Sequence, residues 1–139
     1  MAMPGESIEQ DMFSVLHGEA VPVVTRWSYA ASDPFAISFA VQTRNDRWTQ
    51  WLVARDLVVA AFDGPVGEGD VRMSPQTVDG YDVVELEIRA PGGRAVFEVD
   101  RDLLRNFIDA SIDLVALGDE FLLMGLDKEI AKITRSCPE

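Results

Sequence analysis

Residues 35–42 read FAISFAVQ, and this stretch decides how the fold is interpreted. Large apolar residues occupy its odd positions and small or polar residues its even positions. A period of two is typical of a strand that buries one face. Asn45-Asp46 then indicates a tight turn, and a second apolar run covers residues 48–53. Residues 35–53 therefore predict a β-hairpin.

The strand pattern continues on both sides of this hairpin. Residues 7–17 form a mixed run, and residues 21–30 are rich in β-branched and aromatic side chains. Asp33-Pro34 marks the turn that leads into the hairpin, because proline disfavours a helical conformation in the residue before it. Three more strands are predicted downstream, over 70–78, 81–90 and 94–99, with turns at Asp79-Gly80 and Pro91-Gly92-Gly93.

Two stretches have the spacing of a helix. Asp56 is expected to cap a short helix over residues 57–62 by accepting backbone N–H bonds. Asp100 is expected to cap a longer helix over residues 101–114, in which Phe107 lies on the apolar face. The change from a period of two to a helical period indicates that the strands precede the helices in each half of the chain.

The resulting order is ββββα-βββαα, with a flexible glycine link at residues 67–69 and a last helix around residues 126–133. Runs of strands followed by helices predict the α+β class, with antiparallel sheets in two strand-then-helix units. A length of 139 residues without a long linker predicts a single domain over residues 1–139. The first few residues and the C-terminal tail are expected to be flexible.

Composition limits the function classes. The net charge is −12, from 24 acidic and 12 basic residues, which repels nucleic acid and anionic lipid. The single cysteine, Cys137, cannot form an internal disulfide, and the start of the chain lacks the features of a signal peptide. No apolar run approaches the roughly 20 residues that span a bilayer. We therefore expect a cytoplasmic protein that neither binds nucleic acid nor inserts into a membrane.

No motif for catalysis, metal binding or cofactor binding stands out. The one histidine, His17, lies beside a predicted turn and has no nearby partners for a metal site or a catalytic triad. The glycines at 64, 67 and 69 match neither phosphate-loop pattern. The abundant carboxylates leave a hydrolase with paired acids open by inventory alone. The prediction is a protein that is not an enzyme and has no cofactor.

Aromatic residues on consecutive predicted strands raise a second possibility. Trp27, Tyr29, Trp48 and Trp51 have several arginines near them in the sequence. Aromatic platforms with arginines are how some sheets bind single-stranded nucleic acid. The competing interpretation is that the tryptophans pack in the core, as large aromatic side chains usually do.

The C-terminal third carries a different signal. Residues 106–127 contain no lysine or arginine and many apolar residues. Apolar surface bordered by carboxylates suits a protein partner with basic groups. Phe121, Leu122 and Met124 are the residues that we expect to contact a partner or another subunit; the alternative is ordinary helix packing.

A set of motifs in a fixed order resembles the SsgA-like proteins of sporulating actinobacteria. The positions that carry the resemblance are Tyr29, Asp33, Pro34, Phe35, Trp51, Arg55, Asp56, Leu57, Gly67, Gly69 and Asp70. The likeness extends over roughly residues 11–133. It departs at residues 115–120, which read VALGDE, where relatives often have proline in the second position.

The resemblance implies a fold similar to whirly-type proteins, with two antiparallel sheets, helices at one end, and assembly as a trimer. It implies no catalytic activity. Members of this family help to place or stabilise the tubulin-like division ring at sporulation septa, act in septal cell-wall synthesis, and interact with one another. The resemblance therefore implies that the division-ring protein and paralogous SsgA-like proteins are partners, at the septum. The whirly likeness also provides the alternative function, a single-stranded nucleic-acid-binding module.

Overall fold

The computed structural model describes residues 5–42 and 45–122, and the predicted α+β class is confirmed. The elements in these ranges are β1 (Ser7–Leu16), β2 (Val23–Ala30), β3 (Ala36–Gln42), β4 (Trp48–Ala54), α1 (Arg55–Ala61), β5 (Val66–Glu68), β6 (Val71–Val78), β7 (Tyr81–Ala90), β8 (Gly93–Asp100) and α2 (Arg101–Leu114). The helix predicted around residues 126–133, and the ends predicted to be flexible at residues 1–4 and 123–139, lie outside the described residues.

The eight strands form one antiparallel sheet in the order β4-β3-β2-β1-β8-β7-β6-β5. The first predicted unit supplies β1–β4, and the second supplies β5–β8, one strand more than the three predicted. The units join where β1 pairs with β8, in a short register that runs from Ser14↔Val99 to Leu16↔Phe97. The sheets of the two units are therefore continuous.

The prediction of a flexible link at residues 67–69 is wrong for residues 67 and 68. They belong to β5, which pairs with β6 from Val66↔Met73 to Glu68↔Val71. Gly69, with φ of 58°, turns the chain between the two strands, a conformation that glycine adopts without strain. A strand of three residues is too short to show an alternating pattern, so nothing in the sequence distinguishes it from a loop.

One face of the sheet packs on both helices and encloses the hydrophobic core. Trp27 on β2 and Phe39 on β3 are fully buried there, with ring centroids 4.7 Å apart. Phe107 of α2 lies 6.3 Å from the Trp27 ring and is also buried, as its helical spacing predicts. Burying such a side chain contributes about 2–3 kcal/mol. Trp51 is only half-buried, because β4 is an edge strand, so the interpretation that the tryptophans pack in the core holds only in part for this residue.

The two helices start differently. The Asp100 side chain accepts the Leu103 N–H at 2.9 Å, so the predicted cap of α2 is confirmed. The cap predicted at Asp56 is wrong, because α1 begins at Arg55, two residues before the predicted start at residue 57, which places Asp56 in its first turn. The Arg55 N–H donates to the Phe35 carbonyl at 2.8 Å, so a tertiary contact sets the start of this helix. No helix within the described ranges is long and apolar enough to cross a bilayer.

Candidate functional site

Arg55, the first residue of α1, is buried with 1% of its surface exposed. Its Nη1 donates to two carbonyl oxygens at the end of α2, that of Ser111 at 3.0 Å and that of Val115 at 2.7 Å. The last carbonyls of a helix lack partners within the helix and carry partial negative charge. Arg55 therefore caps the C-terminus of α2 from another element of the fold.

Glu120 supplies the opposite charge. Arg55 Nη2 donates to Glu120 Oε1 at 2.7 Å, and the Gly118 N–H donates to the same oxygen at 2.8 Å. The chain reaches this position through Gly118, whose φ of 94° is unfavourable for residues with a side chain. A buried charge is tolerated when it is paired and hydrogen-bonded. The pair thus fixes the segment that follows α2 against the rest of the molecule.

Tyr29 forms the floor beneath the Arg55 guanidinium. The guanidinium carbon lies 4.8 Å from the centre of the Tyr29 ring, a cation–π contact. The Tyr29 hydroxyl donates to the Pro34 carbonyl at 2.9 Å, which ties the end of β2 to the following turn. Burial raises the pKa of Tyr29 to about 12, so the hydroxyl keeps its proton at neutral pH.

We call Arg55, Glu120, Tyr29 and the Pro34-Phe35 turn that Tyr29 holds the buried anchor. The residues that follow Glu120 form a surface above it. The Phe121 ring meets the Phe35 ring edge-to-face at 5.3 Å, and Phe35 follows the turn that Tyr29 holds. Phe121 and Leu122 nevertheless remain 77% and 67% exposed. We call Phe121 and Leu122 the aromatic tip. Met124, the third residue predicted to contact a partner, lies outside the described residues.

Known proteins match the part of the chain that forms this buried anchor. A family model described as "Streptomyces sporulation and cell division protein, SsgA" matches residues 23–120, which include Tyr29, Arg55 and Glu120. The chain belongs to the SsgA family. The resemblance inferred from the motifs is therefore confirmed. The family's description concerns sporulation and cell division and names no reaction.

Relatives within the SsgA family align over most of their length. The "Sporulation-specific cell division protein SsgB" of Saccharopolyspora erythraea is 36% identical over 114 residues, 82% of this chain and 80% of the relative. The protein of the same name from Frankia casuarinae is 34% identical over 122 residues, 88% of this chain and 85% of the relative.

Solved structures of the SsgA family share the fold. An SsgA-like sporulation-specific cell division protein from Thermobifida fusca superimposes with a TM-score of 0.87 at 31% identity, covering 95% of this chain and 98% of the other. A structure from a study of SsgB mutations that correlate with longitudinal cell division during sporulation of Streptomyces coelicolor gives a TM-score of 0.82 at 25% identity. It covers 88% of this chain and 99% of the other.

The SsgA-family motif positions separate into two groups. Tyr29, Pro34, Phe35 and Arg55 meet at the buried anchor, and Asp33 lies exposed in the adjoining turn. This first group holds the backbone of three elements together: the end of β2, the start of α1 and the end of α2. Its role in the described structure is positional, since it fixes the segment that carries the aromatic tip.

The second group lies between the edge strand β4 and the β5–β6 hairpin. Trp51, Leu57 and Asp70 line a shallow groove of about 370 Å³ there. Asp56, in the first turn of α1, is exposed, and Gly67 and Gly69 belong to the hairpin. A Cβ at Gly67 would lie 3.2 Å from Arg72 Cγ, so the close pairing of β5 with β6 favours glycine there.

The arrangement of the aromatic residues does not favour the nucleic-acid alternative. Trp27 and Tyr29 are buried in the core and are unavailable for stacking on bases. Trp48 is exposed, but the Arg26 guanidinium lies 4.2 Å above its ring. Arg26 in turn donates to both Asp11 carboxylate oxygens, at 2.7 and 3.0 Å. Trp27, Tyr29 and Trp48 therefore do not form an open platform with free cations.

Glu87, one of two acidic residues that line a common groove, does not have the raised pKa of a general acid. Glu85 and Glu87 line one groove with Arg72, but the hydrogen bond from Arg89 lowers the pKa of Glu87. A general acid at neutral pH needs a raised pKa. His17 is exposed in a turn, as predicted, and contacts Glu98 at 2.7 Å. Within residues 5–42 and 45–122, no group of three or more metal-binding side chains converges.

The sequence did not reveal Glu120 as the partner of Arg55. The two residues are 65 positions apart, and neither belongs to a local motif that predicts an ion pair. One signal was present: residues 106–127 contain acids but no basic residue. A buried acid in that stretch must therefore find its counterion elsewhere, and Arg55 lies just before an apolar helix.

Proposed function

We propose that this protein is a non-enzymatic adaptor in sporulation-specific cell division. It acts in the cytoplasm at the septum and helps to localise or stabilise the division ring and the septal cell-wall machinery through protein–protein contacts. Its partners are the tubulin-like division-ring protein, paralogous SsgA-like proteins and its own copies, which assemble as a trimer. The names of its relatives, sporulation-specific cell division proteins, support the biological process.

One observation carries the proposed mechanism: a buried ion pair fixes a segment whose next two side chains are exposed and apolar. Glu120 is held at 2.7 Å by Arg55, and the aromatic tip follows directly. Aromatic side chains held in place bind partners at a low entropic cost, because the binding surface is already ordered. The absence of basic residues from 106–127 favours a partner that presents lysine or arginine.

The direct test mixes the purified protein with purified division-ring protein. Light scattering and sedimentation of the ring protein's polymers, with GTP, measure whether this protein binds and stabilises them. We expect the wild-type protein to co-sediment and to slow polymer disassembly. The variant Phe121→Ser should weaken this binding about tenfold or more, because it removes an exposed aromatic side chain from the contact surface without altering the core.

The matched control is Val21→Ser. Val21 is also highly exposed and apolar but lies in the loop between β1 and β2, so its replacement should leave binding unchanged. If neither the wild-type protein nor a mixture with a paralogue binds the ring protein, the adaptor proposal fails. If Phe121→Ser binds as well as wild type while Val21→Ser does not, the contact surface has been assigned to the wrong place.

A further inference from the structure

The face of the sheet that faces away from the helices carries an apolar groove at the junction of the two strand units. The groove has a volume of about 330 Å³. We call it the outer groove, and its principal lining residues are Phe13, Val15, Tyr81, Val83, Glu98 and Asp100. Its volume is within the range of small binding sites.

The apolar walls of the outer groove are unusually exposed. Phe13 on β1 and Tyr81 on β7 have 70% and 75% of their surface exposed. Single exposed apolar residues are ordinary, but aromatic side chains gathered around one groove mark an interaction site. Register explains why they gather: β8 lies between β1 and β7, so side chains from both neighbours border the same strand.

The middle strand supplies negative charge to the groove. Glu98 pairs in register with Val15, and Asp100 pairs with Val83, so each carboxylate lies beside an apolar neighbour. Glu98 Oε2 contacts His17 at 2.7 Å and Asp100 Oδ1 caps α2, which leaves the second oxygen of each carboxylate outside these contacts. Asp79 adds a third acid, and no lysine or arginine is among the described residues that line the groove.

We propose that the outer groove binds an extended segment of a partner protein in which an aliphatic or aromatic residue and a lysine or arginine take turns at every second position, so that both kinds of side chain project from one face. Such a segment directs apolar side chains towards Phe13 and Tyr81 and places a cation beside Glu98. Every second side chain of an extended segment projects from the same face, so this spacing directs both the apolar and the basic side chains into the groove. Charge complementarity selects this occupant, because nucleic acid and anionic lipid are repelled by the same acids.

A second copy of this chain is a poorer occupant. Two copies that met through the same face would bring Glu98 and Asp100 of one copy against those of the other. The aromatic tip of another copy is followed and preceded by acids, with no basic residue from 106 to 127. The outer groove is also separate from the tip. On β1, Ile8 pairs with Tyr29 and projects towards the core. Phe13 is an odd number of positions away on the same strand, so it projects from the opposite face.

The test uses the whole chain and a synthetic peptide of about ten residues in which leucine and lysine take turns at every second position, with serine between them, which is long enough to span a strand. Calorimetry measures affinity, and amide chemical-shift mapping by NMR locates the site. One control peptide has serine in place of leucine, and the other has glutamate in place of lysine. We expect saturable binding of the leucine–lysine peptide alone, with shifts confined to β1, β7 and β8 around the groove.

Surface variants locate the contact. Phe13→Ala and Tyr81→Ala should each weaken the peptide about tenfold. Glu98→Gln should weaken it about threefold and reduce its dependence on salt. Leu52→Ala is the matched control, because Leu52 is exposed on the same face of the distant edge strand β4. Thermal melts establish that the variants remain folded.

Several results would overturn the proposal. They are no binding of the leucine–lysine peptide, equal binding of the serine–lysine peptide, or equal weakening by Leu52→Ala. A wild-type oligomer that dissociates on Phe13→Ala would assign the groove to a second copy instead. Because the division-ring protein is absent from this test, its outcome does not depend on the adaptor proposal.

Discussion

Helices α1 and α2 are held in place by opposite means. The fourteen-residue helix α2 is capped at its start by Asp100, three positions before the N–H that it binds. The seven-residue helix α1 has no side-chain cap, and its first residue, Arg55, contacts the far end of α2. Isolated helices as short as α1 are unstable in water. The start of α2 is therefore determined by neighbouring residues in the sequence, whereas the start of α1 is determined by contacts with distant elements.

The substitution with the largest expected effect is Arg55→Met, which removes the contacts between the start of α1 and the end of α2. We expect a loss of about 5 kcal/mol in the free energy of unfolding, because Glu120 stays buried without a counterion and the Ser111 and Val115 carbonyls lose the hydrogen bonds from Arg55. Chemical denaturation measures the loss. The aromatic tip should also lose its fixed position, seen as line broadening or sharpening of the Phe121 and Leu122 amide signals by NMR.

A double variant separates charge from packing. Arg55→Met with Glu120→Leu removes both charges, so the penalty of an unpaired carboxylate disappears. The double variant should be more stable than Arg55→Met alone, although the Ser111 and Val115 carbonyls still lack the donor that Arg55 supplies. Additive losses from the two single changes would contradict the assignment of these residues as a coupled pair.

The next largest effect concerns the local helix. Phe107→Ala deletes the ring that packs on Trp27 at 6.3 Å and leaves a cavity in the core. We expect a loss of about 3–5 kcal/mol. Leu103→Ala, on the exposed side of the same helix, is the control and should cost much less. A near-neutral Phe107→Ala would mean that α2 is not anchored through this side chain.

The same contrast explains what the sequence predicted well. The hairpin over residues 35–53 and the helix over 101–114 rest on signals a few residues long: alternation, turn residues and a capping aspartate. Asp79-Gly80, with φ of 51° and 84°, is a further turn of this kind. Neighbouring residues establish each of these features, so one sequence is enough to predict them.

The features that were missed depend on distant residues. The start of α1 is set by the Phe35 carbonyl, so Asp56 occupies the first turn where a cap was expected. The partner of Arg55 is 65 positions away, and β5 is recognisable only beside β6. The motif positions in the sequence nevertheless included four members of the anchor, Tyr29, Pro34, Phe35 and Arg55. The resemblance named these residues without indicating that they meet.

Tyr29→Phe tests one hydrogen bond of the buried anchor separately, because it removes the bond to Pro34 and keeps the ring under Arg55. The Pro34 carbonyl loses its donor, so we expect a loss of about 1–2 kcal/mol. The variant also alters the pH dependence. Because burial raises the pKa of Tyr29 to about 12, its stability contribution is complete below the unfolded value of about 10 and is lost as pH rises towards 12. Between pH 10 and pH 12 the free energy of unfolding should therefore fall less steeply with pH in Tyr29→Phe than in the wild-type protein.

The smallest expected effect compares the two helix starts directly. Asp100→Ala removes the acceptor of the Leu103 N–H and should cost about 1 kcal/mol. Asp56→Ala, the matched change at α1, removes a favourable charge near the helix dipole but no cap, so a few tenths of a kcal/mol are expected. Equal losses would contradict the contrast, since they would give α1 a local cap after all. A larger loss at Asp100 would establish that α2 is fixed by its own sequence, while α1 takes its position from Arg55.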